Sequence, residues 1–189
     1  MAAFIVLLLA ALSRLVPHAM HGVGLSITAV WGGLLFFGAR RPRSLAAGWQ
    51  AAIGMTVMAL TDVYLTPVVY GRHFDVVSYL PTWAWYAAVC LVGSALLRKT
   101  TVLRVAAGVL TSATGFFLIS NFVYWASAQS PYARNLGGLG VCYAAGLPFY
   151  RNDLVSTTLT AGALFGLPVL ATRLVETMRT AQRRNEPLA

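Results

Sequence analysis

Six apolar runs, at residues 2–16, 23–39, 45–65, 81–97, 102–127 and 154–174, divide this chain of 189 residues and leave little room between them. About 20 apolar residues in helical form cross a hydrocarbon core of ~30 Å. Lipid offers the backbone no hydrogen bonds, so only helices and closed barrels span it. Barrel strands alternate lipid-facing and lumen-facing residues. No such period of two runs through these segments, which selects helices. Composition agrees: the chain is 58% hydrophobic and 10% charged, where a soluble domain carries about 25% charged residues. The expected fold is an all-α integral membrane protein, a bundle of six transmembrane helices. One transmembrane domain covers residues 1–175 and a basic tail covers 176–189. No soluble domain has room to fit.

Between the fifth and sixth runs lies a mixed stretch, residues 128–150. Its apolar part, 136–147, is too short to cross and is expected as a re-entrant or interfacial helix before the last span. The first run resembles a signal-peptide core, but no Lys or Arg precedes it and no small-x-small cleavage site follows. A retained first helix is therefore expected. Pro17 closes that run, and Pro67 closes the third.

A net charge of +9 would suit nucleic acid, but the basic residues fall in short clusters between apolar runs. That is how membrane topology is written. With a cytoplasmic N-terminus and six spans, the inner side holds Arg40, Arg41, Arg43, Arg98, Lys99, Arg104, Arg173, Arg179, Arg183 and Arg184. The outer side holds Arg14, Arg72, Arg134 and Arg151. Ten against four is a positive-inside bias, and it places both termini in the cytoplasm. Trp83, Trp85, Tyr86, Tyr124 and Trp125 fall where an outer aromatic belt belongs. The inner clusters also suit anionic lipid headgroups. Cys90, in mid-run, reads as a small core residue. Cys142 lies in a different segment, at a depth that argues against a disulfide between the two.

In this topology the outer ends collect the unusual polar residues: His18, His21, Asp62, His73, Tyr79, Asn121 and Arg151 among them. An ionisable group at membrane depth is costly and is normally paired or functional. Asp62 and Arg151 therefore stand out. Either they pair with each other or cap helices, or they line an outward cavity and hold a polar ligand. The two roles are compatible. His18, His21, His73, Asp62 and Asp75 are metal-ligating types, but their spacing is not diagnostic and no H-E-x-x-H or Cys pair accompanies them. No phosphate loop, dinucleotide fingerprint or nucleophile elbow occurs. Gly162 and Gly166 form a G-x-x-x-G expected to serve tight helix packing.

Several stretches carry a resemblance: Ser13-Arg14-Leu15-Val16-Pro17-His18, the Gly32-Gly33 pair, Thr61-Asp62, Asn121 to Trp125, Tyr132 to Leu136, and above all Cys142 to Asn152 with its Pro148-Phe149-Tyr150-Arg151-Asn152 core. Together they resemble a bacterial family of six-helix transport proteins. That family is similar in turn to the S-components of energy-coupling-factor vitamin transporters, and most of all to solitary S-components for cobalamin. The resemblance implies a bacterial inner-membrane bundle with a vitamin-sized pocket at the outer face. His18, Asp62, Tyr79 and Arg151 fall on the matching polar positions. Cobalamin-specific relatives place a cysteine after the third helix. This chain has none between Leu65 and Leu80, which leaves His73 as the cobalt ligand if a corrinoid is the substrate. The first helix has no Ala-x-x-x-Ala, which favours solitary action over docking on an energising module.

The function expected is therefore uptake of a small vitamin-like molecule, with His18, Asp62, His73, Tyr79, Asn121 and Arg151 as substrate contacts. Its partners are the lipid bilayer and the solute, with no nucleic acid. No catalysis, resident metal or cofactor is expected. The alternatives are a metal-dependent membrane enzyme using the outer His/Asp cluster, and an accessory subunit of a larger complex.

Overall fold

Three loop side chains set where helices begin. Asp75 accepts hydrogen bonds from the backbone N–H groups of Val77 and Ser78, Thr101 from that of Arg104, and Asn135 from that of Gly138. Each satisfies donors that a first helical turn leaves without partners. In the computed structural model, which describes residues 1–15, 28–40, 42 and 45–185 with side chains to residue 180, these caps open α4 (Val76–Leu96), α5 (Val102–Ala126) and α6 (Leu136–Ala161). Before them come α1 (Ala2–Leu12), tightened to a 3-10 turn at Ser13–Leu15, then α2 (Val30–Ala39) and α3 (Ala47–Tyr64). A wide π turn at Gly162–Gly166 joins α6 to α7 (Leu167–Asn185). His18, His21, Arg41 and Arg43 lie outside the described residues, and the side chains of Arg183 and Arg184 do as well.

The described elements are all helical. Four helical stretches are long and apolar enough to cross a membrane: Ala47–Val69, Val76–Leu96, Val102–Ala126 and Leu136–Thr180. Ala2–Leu15 and Val30–Ala39 are apolar but shorter. On α3, Asp62 is 2% exposed while its neighbour Leu60 is 64% exposed. Apolar side chains outward and charge inward suit lipid, not water. This is a membrane protein with four helices of spanning length among the described residues.

The stretch before the last run corrects the expectation. No separate short helix precedes the last span, because residues 136–147 are the first part of α6. The helix passes through Pro148 and reaches Thr180 as one stretch of 45 residues. Pro148 lacks an N–H and crowds the carbonyl four residues back, yet Gly146 and Tyr150 on either side are packed against α5 through Asn121 and Thr114, and this keeps the helix continuous. The fourth helix likewise starts at Val76, not at Pro81, because Asp75 supplies the cap and Pro81 is accommodated inside it. Pro67 does act on its helix: α3 ends in a π turn, Leu65–Val69, closed by Gly71 in the left-handed region at φ 61°.

The helices alternate in direction. Trp83 meets Asp62, while Cys90 meets Gly54, so α4 runs antiparallel to α3. Trp85 donates to the Ser112 carbonyl and Arg104 to that of Leu96, so α5 runs back along α4. Thr114 pairs with Tyr150 and Phe117 packs on Tyr143, so α6 runs back along α5. At the centre is α2, buried from Val30 to Gly38 on every face. Its glycines make that possible. A methyl on Gly32 would strike Thr160 of α6, on Gly33 it would strike Ala10 of α1, and on Gly38 it would strike the Cys90 carbonyl of α4. Gly93 of α4 answers by lying against the Leu35 carbonyl. Cys90 is buried in this core, as its place in mid-run implied.

Gly162 and Gly166 do not pack as expected. A Cβ added at either would meet nothing within 4 Å. They sit in the π turn and face outward, so the close helix contacts in this protein belong to α2 instead.

Candidate functional site

Asp62 is buried at the last full turn of α3, and its charge is met by Arg14. The guanidinium donates to Asp62 Oδ1, to Thr61 Oγ1 and to the Met58 carbonyl (3.3 Å). Trp83 Nε1 donates to Asp62 Oδ2 at 3.0 Å. Buried Tyr86 closes the group, near enough to interact with both charges. Ser13 helps to hold Arg14 in place: its hydroxyl donates to the Ala10 carbonyl and accepts from Ala29 N–H at 2.8 Å, tying the end of α1 to the start of α2. The pairing of Asp62 with Arg151 is therefore corrected. Arg151 is exposed on α6, while the partner of Asp62 comes from the first helix.

Tyr79 joins the same group from the loop side. Its hydroxyl shares a 2.7 Å hydrogen bond with Thr66, and its ring packs on Phe74 at 5.1 Å and on Trp83 at 6.2 Å. Phe74 and Trp83 are themselves 6.3 Å apart, so the three rings form one cluster, which meets Asp62 through Trp83. His73 is exposed in the loop beside Phe74. Asn121 is elsewhere, on the α5–α6 contact, where its amide donates to the Phe117 carbonyl at 2.8 Å and its side chain lies against Gly146. Of the expected contacts, the structure brings Asp62 and Tyr79 together and leaves His73 on the loop. Asn121 and Arg151 stand apart, and His18 lies outside the described residues.

A second polar feature adjoins the first. Trp31, at the start of α2, packs on Tyr86 at 5.5 Å and on Phe116 at 4.6 Å. The half-buried carboxyl of Asp153 on α6 lies near its indole. Phe116 in turn lines a cleft between α4 and α5 at the Asp62 end of the bundle, with a volume of about 520 Å³. Its walls combine rings, Phe116, Phe122 and Tyr124, with the hydroxyls of Ser78, Thr82 and Ser120, and Asp75 stands among them. Ligand pockets commonly have this size and this mixture of apolar wall and few polar groups. None of the five described among the expected site residues lines it, although Ser78 and Ser120 are direct neighbours in sequence of Tyr79 and Asn121.

A larger groove of about 800 Å³ lies at the opposite end, between α5 and the α6–α7 helix. It is lined largely by aliphatic residues such as Val105, Val109, Leu110, Leu154 and Val169, with Arg173 at its edge. Few polar groups converge there. Among the described residues no three His, Cys, Asp or Glu side chains come close enough to hold a metal.

A family model described as "Family of unknown function (DUF6580)" matches residues 1–179. The chain belongs to this DUF6580 family. No curated protein matches it and no solved structure matches it. The matched span covers the residues described above, from Arg14 in the turn after α1 to Asp153 on α6.

Sequence reasoning does not place Arg14, Trp31, Trp83, Tyr86 or Asp153 in the site. Arg14 looked like a topology charge at the end of an apolar run, and its partner is 48 positions away. Trp83 had the look of an interfacial belt. The one available signal was arithmetic: a buried Asp demands a cation, and among the outer arginines Arg14 alone sits inside a helical run and not in a loop or beside another acid.

Proposed function

We propose that this protein is a substrate-binding membrane transport protein that takes up a small vitamin-like molecule. The observation that carries this is the cleft of about 520 Å³ between α4 and α5, walled by rings and hydroxyls. It lies at the bundle end that also holds the Arg14–Asp62–Trp83 group. Arg14 and Asp62 neutralise each other and tie the end of α1 to α3. The solute then meets Ser78, Thr82 and Ser120 within a largely apolar enclosure.

The basic residues support an orientation. Arg98, Lys99, Arg104 and Arg173 gather at the end opposite the cleft, and the positive-inside rule makes that end cytoplasmic. The cleft then opens outward in a bacterial inner membrane, with both termini cytoplasmic and six passes, α1 and α2 supplying the two shorter ones. This is the arrangement that the resemblance to S-components implies. In the corrinoid version of the reading, His73 at the exposed loop is the residue offered to cobalt. The chain has no ATP-binding motif, so any ATP coupling belongs to a partner; the first helix favours solitary action.

The test is mass spectrometry of small molecules released from protein purified in mild detergent. The parent protein is expected to carry a defined solute. Ser120→Trp, which fills the cleft with an indole, is expected to lose it. A solute retained equally by Ser120→Trp places binding elsewhere and removes the basis of the reading.

A further inference from the structure

The cleft carries a charge sign opposite to that of the protein. The chain as a whole has a net charge of +9, and among the described residues lining the cleft there is one acid, Asp75, and no Lys or Arg. Two further acids, Asp62 and Asp153, stand behind the cleft. Arg14 cancels Asp62. Asp153, reached from the cleft wall through Phe116 and then Trp31, has no basic partner among the described residues. Arg134 stands at the rim, but its guanidinium donates to the carbonyls of Trp125 and Ser127 and lies over the Trp125 ring at 5.8 Å. It is turned to the backbone of its own loop.

Fixed charges act over longer distances where water is scarce, because the effective dielectric falls. Low-dielectric walls also focus a field into a concave site. The faces of aromatic rings attract cations by their quadrupole, and Phe116, Phe122 and Tyr124 supply such rings here. Resting on the transport reading, we propose that the substrate class of this cleft is an organic cation: an ammonium or similar positive group on a compact apolar body. Asp75 is the counter-charge at the wall, and Asp153 is the charge behind it. The hydroxyls of Ser78, Thr82 and Ser120 serve a polar substituent on the same molecule.

Three probes of one shape separate charge from size: choline, its neutral isostere 3,3-dimethylbutan-1-ol, and the anion 3,3-dimethylbutanoate. Each is titrated calorimetrically into the full chain in lipid nanodiscs. Choline is expected to bind at least tenfold more tightly than the alcohol, and the anion more weakly still. Asp75→Asn keeps one of the two side-chain cap hydrogen bonds of α4, Asn being as good an N-cap residue as Asp, and removes the charge. It is expected to weaken choline at least fivefold while changing the alcohol less than twofold. Arg134→Gln is expected not to weaken choline. If the alcohol or the anion binds as tightly as choline, or if Asp75→Asn affects choline and the alcohol equally, the charge assignment is wrong while the cleft remains a small-molecule site. If none of the three binds, the assignment also fails. The transport reading fails with it only if Ser120→Trp in addition retains the co-purified solute.

Discussion

At the residue scale, the fold depends on an ion pair whose two members must be kept or replaced together and on glycines with no room for a methyl. Removing one partner of a buried ion pair strands the other, at a cost of about 3–5 kcal/mol, whereas replacing both with apolar groups is often neutral. Arg14→Met alone should therefore lower the thermal unfolding midpoint in detergent sharply, and Arg14→Met with Asp62→Leu should recover much of the loss. A double variant as unstable as the single one would mean that the pair does more than neutralise itself. The glycines give a second contrast. Gly38→Ala drives a methyl into the Cys90 carbonyl and should destabilise by about 1–3 kcal/mol, the usual range for overpacking. Gly162→Ala meets open space and should be neutral or stabilising by up to about 1 kcal/mol through helix propensity, measured in the same unfolding assay. Asp62 was legible in the sequence as a residue needing company, because charge at membrane depth is costly wherever it falls. Its partner was not legible, because pairing across 48 positions is decided by which helices touch. The glycines mislead for the same reason. Gly162-x-x-x-Gly166 has the packing motif, whereas Gly32, Gly33, Gly38 and Gly93 have the packing.

At the element scale, hydropathy located the helices well and their ends poorly. The fifth run, residues 102–127, became Val102–Ala126, and the third, residues 45–65, became Ala47–Tyr64 with its π turn. The second run, residues 23–39, begins its helix only at Val30, since Thr28 and Ala29 are not helical, and elsewhere a proline stood at the expected boundary. Pro81 and Pro148 both lie inside helices. A proline removes one hydrogen bond, and packing on both sides of it can hold the helix regardless. The continuity of α6 is open to direct measurement. Spin labels on Gly137→Cys and Leu159→Cys are 22 residues apart, so a single helix puts their backbones roughly 33 Å from one another at 1.5 Å per residue. Dipolar spectroscopy should return a narrow distribution near that value once label lengths are allowed for. A re-entrant hairpin would bring the labels much closer.

At the scale of the whole molecule, the alternating helix directions gather Arg72 at one end and Arg98 at the other. With the proposed orientation, a membrane-impermeant thiol reagent applied to intact cells should label Arg72→Cys and spare Arg98→Cys; the reverse pattern inverts the molecule and turns the cleft toward the cytoplasm. Cys90 and Cys142 are buried, so background labelling should be low. The helix Leu136–Thr180 has 45 residues, roughly 68 Å at 1.5 Å per residue, more than twice a hydrocarbon core of ~30 Å, and part of it must stand clear of the bilayer. The short central helix carries a consequence for how the chain is made. Val30–Ala39 leaves the ribosome second, yet Gly32 and Phe36 find Thr160 and Phe165 only when the last quarter of the chain has been synthesised. Until then its glycine-lined face has lipid or a chaperone for company. A nascent chain halted near Arg134 would thus lack Thr160 and Phe165, and this face of α2 would stand uncovered.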